Sequence, residues 1–186
     1  MINYSINKFF NENKCQELIS FCMENGEPFS YFKNEKDTWD CRRVYDDKLK
    51  ADVIDLFNKK NENDDLNLWF KFSDINVKNI NISLTRYYDG RFLELHKDKT
   101  SSLTTVIVLT DNFSDGRFVL SEKYNKNIMD NKEMIVTDLK IGQGISFDGS
   151  STYHGVLPVN SGIRCALNIW MNDNDFTFNK MVKKLI

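Results

Sequence analysis

The chain has 186 residues, 41% hydrophobic and 13% aromatic, which is enough for one well-cored domain and short for two. A net charge of -2, from 25 basic and 27 acidic residues mixed throughout, gives no bulk attraction to nucleic acid or to an anionic membrane. No run approaches the ~18 apolar residues of a membrane span, and Met1-Ile2-Asn3-Tyr4-Ser5 lacks the basic-then-apolar order of a secretory signal.

Cys15, Leu18, Ile19 and Cys22 follow i, i+3, i+4, i+7 spacing and predict an amphipathic helix over residues 11–26, stopped by Gly26 with Pro28 beyond. A second helix is expected from about residue 46 to residue 60, with Leu49, Val53, Leu56 and Phe57 on one side and an acidic, Asn-rich exit at 61–65. The segment between them, 29–45, is aromatic and charged without clear periodicity. Its residues Tyr31, Phe32, Trp39, Arg42, Arg43 and Tyr45 are either a lid or a plain cover over the helix-to-sheet junction.

From Leu66 onward the pattern is one of short strands. Residues 79–85 alternate strictly between apolar and polar, and 103–109 is a β-branched run of the kind found in buried strands. Residues 111–116 read as a turn and 117–120 as the return strand. A polar loop over 121–133 is a second candidate for covering a site. Strands over 134–137, 144–147, 153–156 and 163–171 complete a set of about eight. Helices followed by such a set predict a mainly β fold with N-terminal helices and a double-stranded β-helix (jelly-roll, cupin-like) core. One domain is expected over 1–186, with 1–65 as helical support and 66–175 as the core.

The cysteines Cys15, Cys22, Cys41 and Cys165 form no CxxC pair and have no histidine nearby. They read as buried free thiols, which favours a reducing, cytoplasmic compartment over a zinc site.

The chain has two histidines, and each falls where a metal site could be built. In extended backbone, residues two apart point the same way, so His96 and Asp98 can reach one ion from a single strand end. With His154 from a neighbouring strand they make two imidazoles and a carboxylate, the donor set that holds a non-haem Fe(II) with coordination positions left open. His-x-Asp alone is a weak signal, and a lone histidine is more often a core or surface residue than a ligand. Arg164 adds a separate feature. Residues Ile163, Cys165, Leu167 and Ile169 form one purely apolar face of its strand, leaving Arg164, Ala166, Asn168 and Trp170 to face a cavity. A buried arginine there needs an anion, and its strand offers no acid. The carboxylate of a small molecule would serve, as would a glutamate elsewhere in the chain.

The stretch Tyr87-Tyr88-Asp89-Gly90-Arg91-Phe92-Leu93-Glu94-Leu95-His96-Lys97-Asp98 resembles the Y-x-x-G-x-x-x-x-x-H-x-D segment of prolyl 4-hydroxylase-like 2-oxoglutarate/Fe(II) dioxygenases. The later residues His154-Gly155, Pro158-Val159, Gly162-Ile163-Arg164 and Trp170 resemble their distal-histidine hairpin and last strand. The turn Asp115-Gly116-Arg117-Phe118 is similar to their GGxT turn, so the likeness spans residues 80–171. It implies that His96, Asp98 and His154 ligate Fe(II) and that Arg164 binds the distal carboxylate of 2-oxoglutarate. Tyr87 then helps hold that co-substrate, and Asn168 is a further polar contact to it. It also implies O2 as co-substrate, with ascorbate as an accompanying reductant. Two departures stand out: Val108-Leu109, where a tyrosine often precedes the leucine, and Asp115 and Phe118 in the turn.

The implied reaction is decarboxylation of 2-oxoglutarate to succinate coupled to hydroxylation of an unactivated C–H bond. A carboxylate ligand favours hydroxylation over halogenation. Nucleic-acid dealkylases usually carry a second arginine six positions after the first, where this chain has Trp170, so no nucleic-acid partner is expected. Jumonji-type demethylases use a lysine before the distal histidine, unlike the late Arg164. The first expectation is a prolyl or similar residue of a peptide or protein; a free amino acid or other small metabolite is second. A non-catalytic metal-binding jelly-roll module, zinc-occupied or otherwise, is the non-enzyme alternative.

Overall fold

A computed structural model describes residues 2–29, 39–62, 77–99, 101, 103–129 and 133–172. In chain order the elements are β1 (Tyr4–Lys8), α1 (Glu12–Asn25), β2 (Glu27–Pro28), β3 (Trp39–Val44), α2 (Asp47–Glu62), a 3-10 turn (Val77–Asn79) and β4 (Ile80–Tyr87). They continue with β5 (Leu93–His96), β6 (Leu103–Val108), β7 (Phe113–Asp115), β8 (Phe118–Ser121), β9 (Ile135–Thr137), β10 (Gln143–Phe147), β11 (Tyr153–Val156), β12 (Val159–Gly162) and β13 (Arg164–Met171).

Both predicted helices form, and local chemistry sets their ends. Asn11 caps α1 by accepting the Lys14 N–H at 2.9 Å, and Gly26 closes it by donating to the Cys22 carbonyl at 2.9 Å. Asp46 plays the first part for α2, accepting the Leu49 N–H at 2.6 Å, while Asp47 and Lys59–Lys60 suit the two poles of its dipole.

Seven strands form one antiparallel sheet in the order β1-β10-β6-β13-β4-β3-β2, and four form a second in the order β5-β11-β8-β9. A small β12-β7 pair extends one end. The large sheet buries its outer face against the helices, where Ile80, Ile82, Leu84, Leu167 and Ile169 pack with Cys15, Leu18, Cys22, Val53 and Phe57. Its inner face meets the small sheet through Tyr87, Val106, Val108, Phe118, Phe147, Val156 and Ala166. Two packed antiparallel sheets with helices on one side are the expected jelly-roll. Beyond the small sheet, Ile128 of the 121–133 loop packs with Leu95, Val119 and Leu157.

The strand inventory is richer than the sequence pattern. The N-terminal part, read as helical support, contributes β1, β2 and β3 to the large sheet. Residues 113–115, read within a turn, form β7 against β12. The boundary at 65–66 and the start of the expected core lie outside the described residues. So do Tyr31 and Phe32 of the supposed lid. In β3, Arg42 donates to the Met23 and Gly26 carbonyls at 3.2 and 3.3 Å, which ties that strand to the end of α1. No described helix is long and apolar enough to cross a membrane.

Candidate active site

The antiparallel pairing of β11 with β5 sets His154 directly opposite His96, and their ring centroids lie 4.3 Å apart. Asp98 follows two residues after His96, just past the strand end. Its backbone N–H donates to the Gly149 carbonyl at 2.9 Å. One ligand atom from each of these three residues lies within 4.8 Å of the other two.

Hydrogen bonds to carbonyls fix the imidazole tautomers. His96 Nδ1 lies 3.0 Å from the Glu94 carbonyl and His154 Nδ1 lies 3.0 Å from the Thr152 carbonyl. A carbonyl only accepts, so each Nδ1 carries a proton, which leaves Nε2 as the atom with the lone pair in the neutral ring. Both lone-pair nitrogens point at the Asp98 carboxylate, at 3.9 Å from Oδ1 for His96 and 3.6 Å from Oδ2 for His154. Burial, and then the neighbouring His96, hold the His154 pKa well below its ordinary value, which keeps the ring neutral and able to ligate. Phe147 sits edge-on to that ring at 4.8 Å and Phe118 lies 6.0 Å away. Two imidazoles and a carboxylate arranged this way fit a divalent transition metal.

Alternation along β13 places Arg164, Ala166 and Asn168 on the inner face, as expected from sequence. Arg164 is 1% exposed, and among the described residues neither terminal guanidinium nitrogen has a hydrogen-bond partner. Burial lowers its pKa, and it faces Tyr87, its partner in register, with Cζ 5.6 Å from the ring centroid. Arginine remains charged even so. A buried cation without an acid fits the carboxylate of a small dicarboxylic acid. Beside it lies a cavity of about 740 Å3 whose lining includes Val108, Gly116, Phe118, Leu139 and Arg164. Phe118, in that lining, has its ring 6.0 Å from His154. Tyr87 is buried, and burial raises its phenol pKa, so it stays neutral. Asn168 lies on the expected face but is engaged with protein: its amide donates to Thr85 Oγ1 at 3.1 Å and to Ser83 Oγ at 3.5 Å.

Sequence reasoning missed Thr104, which donates to Asp98 Oδ2 at 2.6 Å. The even positions of β6 face the site, so the alternation held a signal for it. It also missed Gly149, where any Cβ would press on Thr104 Oγ1 and Asp98 Oδ2.

A jelly-roll that gathers two imidazoles and a carboxylate at a strand end, and keeps inside a cation with no hydrogen-bond partner on its terminal nitrogens among the described residues, offers the donor set that suits a mononuclear metal oxygenase. The family model of the 2OG-Fe(II) oxygenase superfamily matches residues 82–172, which contain every one of these groups. Over that stretch, just under half of its length, the chain is similar to that superfamily, whose members are by name Fe(II)- and 2-oxoglutarate-dependent oxygenases.

Several solved structures share the fold. A Pseudomonas putida prolyl-4-hydroxylase aligns with TM-score 0.62 and 14% identity over 93% of this chain and 94% of that one. A 2OG-Fe(II) oxygenase family oxidoreductase from Burkholderia pseudomallei aligns with TM-score 0.64 and 13% identity over 94% and 86%. A Trichoplax adhaerens prolyl hydroxylase, in complex with a hypoxia inducible factor oxygen degradation domain peptide fragment, aligns with TM-score 0.61 and 13% identity over 91% and 83%. No curated protein sequence matches the chain.

Proposed function

We propose that this protein is a 2-oxoglutarate- and Fe(II)-dependent hydroxylase acting on a prolyl, or similar, residue of a peptide or protein. The observation that carries the reading is Arg164, a buried guanidinium whose two terminal nitrogens have no hydrogen-bond partner among the described residues, on the inner face of the barrel that bears the triad. An unpaired buried charge costs several kcal/mol in order of magnitude, so its retention makes sense as one half of a binding site.

In this reading His96, Asp98 and His154 hold the iron through Nε2, a carboxylate oxygen and Nε2. The bound centre supplies oxidative decarboxylation of the 2-oxo acid to succinate and hydroxylation of an unactivated C–H bond. Arg164 would bind the distal carboxylate of the co-substrate by charge-assisted hydrogen bonds, and Tyr87 would help hold the co-substrate from the adjoining strand. Phe118 and Phe147 keep water from one side of His154. Asn168 contributes by holding Ser83 and Thr85 in place more than by touching ligand. The peptide substrate is supported by likeness of fold to the Pseudomonas putida and Trichoplax adhaerens prolyl hydroxylases.

The test is anaerobic titration of apo-protein with Fe(II) and 2-oxoglutarate, following the metal-to-ligand charge-transfer band of a chelated 2-oxo acid. Succinate release is then measured with proline-containing peptides and, separately, with free amino acids. A band weakened in Arg164→Ala, with succinate formed on peptide addition, supports the proposal. Turnover with amino acids alone would move the substrate to small metabolites. A well-folded, metal-loaded protein without the band would leave a non-catalytic metal-binding module.

A further inference from the structure

The turn between β10 and β11 touches two of the three triad residues through its main chain. Its Gly149 carbonyl accepts the Asp98 N–H at 2.9 Å, and its Thr152 carbonyl holds His154 Nδ1 at 3.0 Å. Neither bond can be made unless the turn keeps its shape, and one side chain closes it. Asp148 Oδ1 accepts from the Ser150 N–H at 2.9 Å, the Ser150 hydroxyl at 2.7 Å and the Ser151 N–H at 3.1 Å. The Asp148 carbonyl accepts the Thr152 N–H at 3.1 Å, which closes the ring of bonds.

We infer that Asp148 is a positioning residue for the metal centre: by closing the 148–152 turn it aims both the Asp98 main chain and the His154 ring. This inference rests on the metal reading proposed above. Serines 150 and 151 are exposed, so water can satisfy their N–H groups if Asp148 is removed. The expected damage is therefore a loosened turn within a folded barrel. Outer-shell groups that orient metal ligands typically account for ~10–100-fold in metal affinity. What the turn requires is an acceptor oxygen at this position, which asparagine supplies as well as aspartate does.

The experiment is titration of the metal-free protein with Co(II) alone, following its visible ligand-field bands, in wild type, Asp148→Ala, Asp148→Asn and His96→Ala. Apo-protein melting temperatures are recorded alongside. Asp148→Ala is expected to bind Co(II) roughly 10–100-fold more weakly with altered bands, while Asp148→Asn stays within a few-fold of wild type. Asp148→Ala binding as tightly as wild type overturns the inference, even if its melting temperature falls. Asp148→Asn binding as weakly as Asp148→Ala also overturns it, because charge and not turn closure would then matter. If Asp148→Ala does not fold, Asp148→Ser is read instead, since its hydroxyl closes such turns more weakly. Several-fold weaker binding supports the inference and wild-type binding overturns it. His96→Ala separates the two levels. If it binds Co(II) as well as wild type, the metal reading itself falls and takes this one with it. If it fails to bind while Asp148→Ala binds normally, only the turn inference falls.

Discussion

Arg164 and Tyr87 face each other across the β13–β4 pair, with the guanidinium carbon 5.6 Å from the ring centroid. A cation over an aromatic face gains roughly 2 kcal/mol when desolvated, against a penalty of several kcal/mol for burying the ion. The ring therefore offsets only part of what burial costs. In the absence of an anion the arginine is a local liability to the fold.

The first prediction follows from that imbalance. Arg164→Met should leave the apo-protein as stable as wild type, or more stable by about 1–3 kcal/mol. The same change should weaken 2-oxoglutarate binding at least about tenfold, the scale of losing a hydrogen bond to a charged group. Denaturant unfolding of apo-protein, paired with co-substrate titration, reads both. A strongly destabilised Arg164→Met would mean that the guanidinium has a structural anionic partner.

Gly116 governs the approach to the same arginine. Its φ is +64°, and an added Cβ would lie 2.7 Å from Val159 Cγ2 and 3.2 Å from Arg164 Cδ. Alanine there meets both backbone strain and a crowded neighbour. Gly116→Ala should destabilise by more than about 1 kcal/mol and raise the KM for 2-oxoglutarate above that of wild type, with Co(II) affinity unchanged. A variant with unaltered stability and KM would show that this turn does not constrain Arg164.

The cluster of His96, Asp98 and His154 was legible as a candidate metal site because histidine is scarce in this chain and the His-x-Asp spacing suits an extended strand end. Arg164 was legible because Cys165, Leu167 and Ile169 claim the opposite face of β13. The turn Asp115-Gly116 was recognised despite its aspartate, and Asp115 takes φ +59° in the place of a glycine. Other features left no such trace. β3 mixes arginines with buried Cys41 and Val44, since its outward Arg42 bonds to carbonyls of α1, and that blurs the alternation. The orientation of both imidazoles depends on carbonyls of Glu94 and Thr152, and a carbonyl is the same on every residue. Asn168 was placed on the correct face, yet its partners Ser83 and Thr85 lie more than 80 positions away in sequence and meet it only through strand register.

Those partners make Asn168 a test of structure against ligand contact. Removing its amide leaves buried Ser83 and Thr85 hydroxyls without that donor. Asn168→Ala should cost about 1–3 kcal/mol of stability while changing the KM for 2-oxoglutarate less than Arg164→Lys does. Thermal melts and steady-state kinetics on the two variants decide it. A large KM effect in a variant of wild-type stability would restore Asn168 as a direct contact to the co-substrate.

The pH dependence of folding should carry the signature of His154. Burial, reinforced by His96, lowers its pKa in the native state from an ordinary 6.5. The unfolded chain therefore takes up a proton near 6.5 that the folded chain refuses until the solution is more acidic. In that window the unfolded state binds more protons, so stability rises with pH and is lost as pH falls. The contribution is complete above 6.5 and declines from there toward the depressed native value. His154→Gln has no proton to refuse. Between pH 7.5 and pH 5.5 the metal-free wild type should lose up to about 1 kcal/mol more stability than the variant, since one proton is worth at most ~1.4 kcal/mol per pH unit. Guanidinium unfolding at the two pH values measures the double difference. Equal losses in both proteins would mean that His154 titrates normally, and the buried, neutral imidazole on which ligation depends would have to be given up.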